Sequence, residues 1–263
     1  MADTNDTARE LDGRIALITG GSSGIGREIA LTFAKAGAKI AITGRRWAPL
    51  EETVAAVEAL GGEALALPGD VRDEAHAAEA VAKTVEAFGG LTILVNNAGV
   101  IGAGPIEETS TEEWDRLIDI DLKGPFLFAR AAIPHLKGTP GAAVVNVSSV
   151  AGTRPYPNLA PYCVAKAGLD RFTECLALEM APHGVRVNAI NPGVVKTNLH
   201  LASDAVPDYD AFLARSEETH PLGFYGAPQD AADLVLFLAS DRSRWITGGL
   251  IPLDGGRALT SLR

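Results

Sequence analysis

The stretch that decides the fold reads Arg14-Ile15-Ala16-Leu17-Ile18-Thr19-Gly20-Gly21-Ser22-Ser23-Gly24-Ile25-Gly26. Its apolar start is typical of a buried strand, and the apolar residues after the glycines, among them Ile29 and Phe33, have helical spacing. A glycine turn between strand and helix lets the backbone approach a pyrophosphate and points the free N–H groups of the helix at it. The spacing here, G-x-x-x-G-x-G, differs from the usual G-x-G-x-x-G fingerprint of dinucleotide-binding folds, so a glycine turn without a ligand stays open as the alternative.

The next strand is predicted at residues 39–43 and ends in Gly44-Arg45-Arg46. In dinucleotide-binding folds, an acidic residue about 20 positions after the glycines holds the ribose 2′-hydroxyl, whereas arginine suits a 2′-phosphate. Gly44 stands where that acid would be, and Arg45 follows it. This pattern predicts NADP(H) as the cofactor, not NAD. For Arg46, a solvated helix start is a plausible alternative; for Arg45 it is less so.

Strands and helices alternate along the rest of the chain. The predicted segments are helix 49–60, strand 63–67, helix 73–88, strand 91–95, a proline-interrupted helix 111–136, strand 142–147, a helix containing Tyr162, strand 185–190, helix 228–240 and strand 250–253. Repeated βα units predict an α/β fold, a parallel sheet covered by helices on both faces. We expect residues 1–10 to be a disordered tail, residues 11–263 to be one domain, and residues 198–226 to form a substrate lid.

Composition narrows the class of protein. The 263 residues carry a formal net charge of -10, which leaves no general attraction for nucleic acid or anionic membranes. No apolar run is long enough to cross a bilayer. Cys163 and Cys175 lie about 18 Å apart along one predicted helix, too far to be bridged to each other. Few cysteines and a polar, acidic N-terminal stretch suggest a cytoplasmic protein. No metal site is predicted.

Tyr162 and Lys166 are four positions apart in a predicted helix, so both side chains lie on one face. A cation near a phenol favours the phenolate and lowers its pKa from the usual value of about 10. Tyr162 is therefore a candidate proton donor and acceptor at neutral pH. By itself, Y-x-x-x-K is a weak motif, because a solvated helix face often produces the same spacing.

Further polar residues follow the predicted strands, at the carboxyl edge where ligands of open α/β sheets bind. They are Asp70, Asn96-Asn97-Ala98-Gly99 and Ser148-Ser149. Inside the interrupted helix, Pro125 has no N–H group, which leaves the carbonyl of Asp121 without its helical donor. That carbonyl is expected to be free to bind water.

Together these motifs resemble the short-chain dehydrogenase/reductase family, from about Leu11 to Gly256. The matching residues are Thr19 to Gly26, Asp70-Val71, Asn96 to Gly99, Ser149, Tyr162 with Lys166, Asn191-Pro192-Gly193 with Thr197, and Asp254-Gly255-Gly256. The resemblance implies a single Rossmann-like doubly wound parallel sheet with strand order 3-2-1-4-5-6-7 and a nicotinamide cofactor bound across its carboxyl edge.

The resemblance also implies a role for each site residue. Tyr162 would exchange a proton with the substrate oxygen, Ser149 would hydrogen-bond that oxygen, and Lys166 would hold the nicotinamide ribose and lower the pKa of Tyr162. The fourth catalytic position, usually asparagine in the family, is Asp121 here. The implied cofactor-binding residues are Gly20, Ser22, Ser23, Gly24, Ile25 and Gly26 at the phosphates, Arg45 and Arg46 at the 2′-phosphate, Asp70 and Val71 at adenine, Asn97, Ala98 and Gly99 at the riboses, Tyr162 and Lys166, and Pro192, Gly193, Val195 and Thr197 beside the nicotinamide.

The expected activity is that of an NADPH-dependent carbonyl reductase, or in reverse an alcohol dehydrogenase, acting on a ketone or secondary alcohol. A non-catalytic NADP(H) sensor and a 3-oxoacyl-thioester reductase are the alternatives. Nucleotide-sugar epimerases share the fold but usually have T-G-x-x-G-x-x-G and a longer C-terminal region. Apolar residues that suggest an apolar substrate are Leu199, Leu201, Val206, Tyr209, Phe212, Leu213, Phe224 and Tyr225, with Tyr156 and Leu159. The family's usual subunit contacts imply a homotetramer, with Trp114 and Phe172 as candidate anchors.

Overall fold

The structure is a computed structural model that describes residues 9–201, 206 and 208–260. The strands are β1 (Ile15–Thr19), β2 (Lys39–Gly44), β3 (Ala64–Pro68), β4 (Ile93–Asn96), β5 (Ala143–Val147), β6 (Arg186–Pro192) and β7 (Leu250–Leu253). The helices are α1 (Gly24–Lys35), α2 (Trp47–Ala59), α3 (Glu74–Phe88), α4 (Thr111–Ile118), α5 (Gly124–Leu136), α6 (Val150–Thr153), α7 (Ala160–Met180), α8 (Tyr209–Thr219) and α9 (Pro228–Ala239). The predicted alternation of strands and helices is confirmed.

The strands form one sheet in the order β3-β2-β1-β4-β5-β6-β7, and every neighbouring pair is parallel. This confirms the predicted strand order. The chain runs outward from β1 to β3, returns to place β4 on the other side of β1, and runs outward again. Parallel strands all end at one edge, so the loops after β1 and β4 meet at the point where the winding reverses.

Each face of the sheet is covered by helices, which explains why β1 is buried at every position and apolar at all but Thr19. Ala16 and Ile18 share a core with α1, α2 and α9. Leu17, pointing the opposite way, shares a second core with α3, α5 and α7. The two cores fix the strands, and through them the positions of the loops at the carboxyl edge.

The interrupted helix predicted at 111–136 is three pieces. Between α4 and α5 lies a wide turn, Asp119–Lys123, in which the Gly124 N–H donates to the carbonyl of Asp119, five residues back. The prediction of a free Asp121 carbonyl assumed α-helical hydrogen bonds, in which an N–H bonds the carbonyl four residues back. The turn at Asp119–Lys123 does not have that spacing, so the assumption does not hold there. Pro125, without an N–H to offer, lies in the first turn of α5, where proline is tolerated.

Other boundaries differ slightly from expectation. β6 continues through Pro192, where the sequence predicted a turn after residue 190. The predicted lid contains α8, and a parallel bridge pairs Val195 with Gly226; residues 202–205 and 207 of the lid lie outside the described residues. Residues 1–8 of the predicted tail also lie outside them, and Glu10 forms an ion pair with Arg242 at 3.2 Å. Within the part of the chain that the structure describes, no helix is both long and apolar enough to span a membrane.

Candidate active site

A cavity of about 860 Å³ runs along the carboxyl edge of the sheet. It collects nearly all of the residues predicted to form the site: Gly20, Ser22, Ser23, Gly24, Ile25, Arg45, Arg46, Asp70, Val71, Asn97, Ala98, Gly99, Ser149, Tyr162, Lys166, Pro192, Gly193, Val195 and Thr197. Two predicted residues, Gly26 and Asp121, are not part of its lining and lie behind it. The sheet topology, not proximity in sequence, brings these loops together.

The glycine loop after β1 is too closely packed for side chains. Gly20 has a φ of +69°, and a Cβ there would lie 2.9 Å from the Cα of Ala98. A Cβ at Gly26 would collide with the carbonyl oxygen of Gly20 and the side-chain amide of Asn97. These glycines therefore let α1 begin directly beneath the loop.

The N-terminus of α1 opens onto the cavity. Ser23 occupies the N-cap position, but its side chain makes no capping hydrogen bond, and the first turn carries no acidic residue. The first N–H groups of a helix have no partners within it, and the helix dipole adds positive potential there. This arrangement fits the pyrophosphate of a dinucleotide, which supplies both the charge and the acceptors.

The loop after β4 is tied to β1 by hydrogen bonds. The hydroxyl oxygen of Thr19 accepts from the backbone N–H groups of Asn97 and Ala98, both at 2.9 Å. The Asn97 side-chain amide donates back to the carbonyl of Thr19 at 2.9 Å. This pairing holds Ala98 and Gly99 at a fixed height over the sheet edge.

The loops after β2 and β3 give the cavity its charged end. Arg45 and Arg46 are exposed and line it. Asp70 is paired with Arg72 at 2.7 Å, and the hydrogen bonds from Arg72 hold the pKa of Asp70 below its usual range. Gly44 stands at the position expected to hold an acid in NAD-binding chains; a Cβ there would make ordinary contacts, 3.4 Å from the hydroxyl of Ser22 and 3.5 Å from Leu50, so packing does not exclude a side chain.

Ser149 follows β5 and begins α6. Its hydroxyl oxygen accepts from the Ala151 N–H at 3.1 Å, and the Asn191 side-chain amide donates to its carbonyl at 2.9 Å. Asn191 is itself held by the buried carboxylate of Asp170, at 2.9 Å. One of these bonds holds the side chain of Ser149 and the other holds its backbone, and the residue lines the cavity.

Lys166 is a buried cation with two fixed partners. Its Nζ donates to the carbonyl oxygen of Val147 at 3.1 Å and forms an ion pair with Asp121 Oδ1, also at 3.1 Å. The same Nζ lies 5.7 Å from the ring centroid of Tyr162, one helical turn earlier on α7. The predicted shared face of the Tyr/Lys pair is therefore present.

The electrostatics of Tyr162 correct one expectation. Burial raises the pKa of the Tyr162 phenol, Lys166 opposes the rise, and Asp121 adds to it; the neighbouring Ser149 hydroxyl lowers it by hydrogen bonding. The net direction is upward in the protein alone, although Lys166 acts downward as predicted. The sequence could not show this, because it does not reveal how completely the phenol is removed from water.

Asp121 is fully buried, directly behind Lys166. Both carboxylate oxygens accept from the Val100 N–H at 3.3 Å. Burial raises the pKa of Asp121, with the Lys166 ammonium and the Val100 N–H opposing. Burial alone would lower the pKa of Lys166, but Asp121 raises it above its usual range. A Cβ at Gly99 would lie 2.7 Å from Asp121 Oδ1, so a glycine is required over the carboxylate.

Two residues at or near the cavity, His220 and Arg257, were not predicted from the sequence. The Val194 N–H donates to His220 Nε2 at 3.2 Å, and His220 Nδ1 bonds the carbonyl of Ser216, so the ring is neutral and links α8 to the loop after β6. Burial lowers the pKa of His220, in keeping with the neutral form. Arg257 also reaches the cavity. Neither has a local sequence signal, because each contact joins segments distant in the chain.

No group of three or more histidine, cysteine, aspartate or glutamate side chains among the described residues could hold a metal ion. Both cysteines are free. Ser149, Tyr162 and Lys166 line the same cavity as the glycine loop after β1. The glycine loop and the open N-terminus of α1 at this sheet edge fit a dinucleotide cofactor.

Comparison with known proteins identifies the family. A family model described as enoyl-(acyl carrier protein) reductase matches residues 20–258. The 2,5-dichloro-2,5-cyclohexadiene-1,4-diol dehydrogenase of Sphingobium indicum is 41% identical over 249 residues, which are 95% of this chain and 98% of that protein. The chain belongs to the short-chain dehydrogenase/reductase family, as the motifs predicted.

Solved structures of similar proteins contain either cofactor. Carveol dehydrogenase from Mycobacterium avium in complex with NAD has a TM-score of 0.90 at 32% identity, covering 96% of this chain and 100% of that chain. A short chain dehydrogenase from Burkholderia cenocepacia in complex with NADP has a TM-score of 0.88 at 35% identity, with the same coverage of both chains. Membership of the family therefore does not show whether this chain binds NAD or NADP.

Proposed function

We propose that this oxidoreductase is an NADPH-dependent carbonyl reductase, and in reverse an alcohol dehydrogenase, acting on a ketone or secondary alcohol. The observation that carries the proposal is the Ser149, Tyr162 and Lys166 group in one cavity with the glycine loop of β1. When bound, the nicotinamide supplies or accepts the hydride. The loops after β1 and β4 hold the cofactor, and Lys166, fixed by Val147 and Asp121, presents its ammonium to the ribose.

In this proposal, Ser149 and Tyr162 transfer and stabilise the single proton that the reaction requires. Ser149 donates a hydrogen bond to the carbonyl oxygen of the substrate, and Tyr162 gives its phenolic proton to the same oxygen as the carbon is reduced. In the reverse direction the phenolate takes the proton from the alcohol. The ammonium of Lys166 favours the phenolate, offsetting part of the effect of burial on Tyr162.

The proposal is tested with a panel of aldehydes and ketones, scored by loss of NADPH absorbance. Turnover of simple ketones and aldehydes supports it. Turnover confined to 3-oxoacyl thioesters favours the thioester reductase, and NADPH binding without turnover of any carbonyl or alcohol favours the sensor. The non-catalytic sensor is retained as an alternative because Lys166 is paired with the buried Asp121, where the family usually has asparagine.

We propose that Arg45 makes the protein selective for NADP(H) over NAD(H) by binding the 2′-phosphate. Its exposed side chain lines the cavity next to Gly44, and no acid occupies the position that would repel a 2′-phosphate. Arg45→Ala is expected to weaken NADPH binding by roughly 1.5–3 kcal/mol, the range for a hydrogen bond to a charged group, with little change for NADH.

The measurement is the Kd of both cofactors by titration of protein fluorescence, with NADH as the internal control on the same variant. If Arg45→Ala loses equal affinity for NADPH and NADH, the arginine supports the loop generally and does not select the phosphate. If NADH binds the parent protein more tightly than NADPH, the NADP assignment is wrong.

We also propose a homotetramer that uses α5 and α7. Phe126 is 41% exposed and packs edge-on against Phe172 across these two helices, and Leu178 on α7 is 79% exposed. Sedimentation velocity at micromolar concentration is expected to give a tetramer, and Leu178→Glu to dissociate it. Leu60→Glu, at the end of α2, changes an exposed leucine away from these helices and is the control. A monomeric parent would exclude the assembly.

A further inference from the structure

The C-terminal turn Arg257–Leu259, which follows β7, packs against α6, the short helix that begins at Ser149. This packing places the side chain of Arg257 in the lining of the cavity, together with apolar side chains of the lid and of the loop after α6. The apolar lining includes Ile101, Leu159, Leu199 and Phe212. A guanidinium therefore lies in the apolar part of the cavity, where the substrate is expected.

Arg257 is held by neutral groups. Its Nε donates to the Tyr156 hydroxyl at 3.3 Å, and its Nη1 donates to the Thr219 hydroxyl at 2.9 Å. The guanidinium carbon lies 5.5 Å from the ring centroid of Tyr156. These contacts fix the plane of the group without neutralising its charge, and among the described residues Nη2 makes no hydrogen bond.

A second cation adjoins the first. Arg154 donates from Nη1 to the carbonyl oxygen of Arg257 at 2.7 Å, and its guanidinium carbon lies 5.8 Å from the same Tyr156 ring. The guanidinium groups of Arg154 and Arg257 thus both lie within 5.8 Å of the centroid of the Tyr156 ring. The positive potential extends to His200, whose pKa is lowered by burial and further by Arg257.

Neither guanidinium has a counterion within the described residues. No carboxylate there lies within 4.0 Å of Arg154 or Arg257, whereas Arg116, another arginine of the cavity, is paired with Glu113 at 2.6 Å. Asp254, three positions before Arg257, accepts instead from the N–H groups of Gly256 and Ala258. Within the described residues, Arg257 thus lies in the cavity lining without an ion pair, as do Arg45 and Arg46 at its charged end, and Arg154 adjoins it from outside the lining.

We propose that the substrate carries a carboxylate, bound by Arg257 with support from Arg154, so that the substrate class is an oxo acid with an apolar skeleton or the matching hydroxy acid. The proposal rests on the carbonyl reductase activity proposed above and deepens it. A planar guanidinium suits a carboxylate, which accepts two parallel N–H bonds in one plane. The fixed orientation of Arg257 reduces the side-chain entropy lost on binding.

The first test is turnover of a series of straight-chain oxo acids that differ in the distance from ketone to carboxylate, each compared with its methyl ester. The parent is expected to prefer at least one acid over its ester, by roughly 10- to 100-fold in kcat/KM for a charged hydrogen bond. In Arg257→Leu this acid-to-ester ratio is expected to fall by the same factor.

Two variants serve as comparisons. Arg215→Leu removes the same charge from an exposed position of α8, and should leave the ratio unchanged. Arg257→Lys keeps the charge without the planar fork and should restore part of the preference. A parent that prefers the esters, or an Arg257→Leu variant with an unchanged ratio, would overturn the proposal and favour neutral substrates.

The second test is independent of turnover and uses hexanoate and hexanamide as probes in calorimetric titrations. Hexanoate is expected to bind the parent more tightly than hexanamide, and Arg257→Leu to abolish the difference. If no carbonyl compound is reduced but hexanoate binds the parent more tightly than hexanamide, the proposed reductase activity is wrong and the carboxylate site at Arg257 is supported. If the two probes bind equally to the parent, the carboxylate site is excluded even where ketones are reduced.

Discussion

Replacement of Tyr162 by phenylalanine is expected to lower kcat/KM for carbonyl reduction by about 10²–10⁴-fold, the contribution typical of a positioned general acid. The substitution removes one oxygen from a buried ring and leaves the packing of α7 intact. Lys166 keeps Val147 and Asp121 as partners, so cofactor affinity should be nearly unchanged. A large loss of turnover with retained binding would assign the proton to the phenol.

Steady-state kinetics and a cofactor titration on the same preparation measure the two quantities. Tyr225→Phe, which removes the same oxygen from a lid residue that does not line the cavity, is the control and should stay close to the parent. If Tyr162→Phe keeps more than about a tenth of the parental kcat/KM, less than 1.4 kcal/mol has been lost and another group supplies the proton.

The second large effect concerns the buried ion pair. Asp121→Leu leaves the ammonium of Lys166 buried without a counterion and is expected to lower the free energy of unfolding by about 3–5 kcal/mol. Asp121→Asn should cost less, because the amide oxygen can still accept from Lys166 and from the Val100 N–H. Urea denaturation measures both values. Asp119→Asn removes a surface partner of Lys123, 3.3 Å away, and should change stability little.

Asp121→Asn should also move the pH profile. The carboxylate raises the pKa of both Lys166 and Tyr162, since a negative charge stabilises the ammonium and disfavours the phenolate. Removing that charge lowers the apparent pKa of the phenol, so the rise of alcohol oxidation with pH should begin at lower pH than in the parent. Superimposable profiles of log kcat/KM would show that Asp121 has no electrostatic role. A fall of about 10³-fold or more would instead make the side chain itself a catalytic member.

The parts of the structure that follow from local pattern were predictable. The spacing of apolar residues predicts the βα alternation, and the glycines predict the tight turn after β1. The strand order was predicted from the family resemblance. The placement of Tyr162 over Lys166 followed from helical geometry. Apart from the strand order, these features depend on residues close together in the chain.

The properties that escaped prediction depend on contacts between distant segments. The net rise in the pKa of Tyr162 reflects burial by the whole fold. The wide turn at Asp119–Lys123 required knowing how α4 and α5 join, and the hydrogen bond from Val194 to His220 joins the lid to the loop after β6. Arg257 lies 101 positions from the Tyr156 hydroxyl that it contacts, so no spacing rule could pair them.

The strand order also bears on how the chain can assemble during synthesis. β2 pairs with β1, and β3 with β2, so the first three strands can be added outward in one direction. β4 then joins the free side of β1, and β5, β6 and β7 each join the strand made just before them. No strand has to be inserted between two already paired. Because parallel pairing is slow when partners are far apart in the chain, growth at a free edge lets each new strand meet a finished template as it leaves the ribosome.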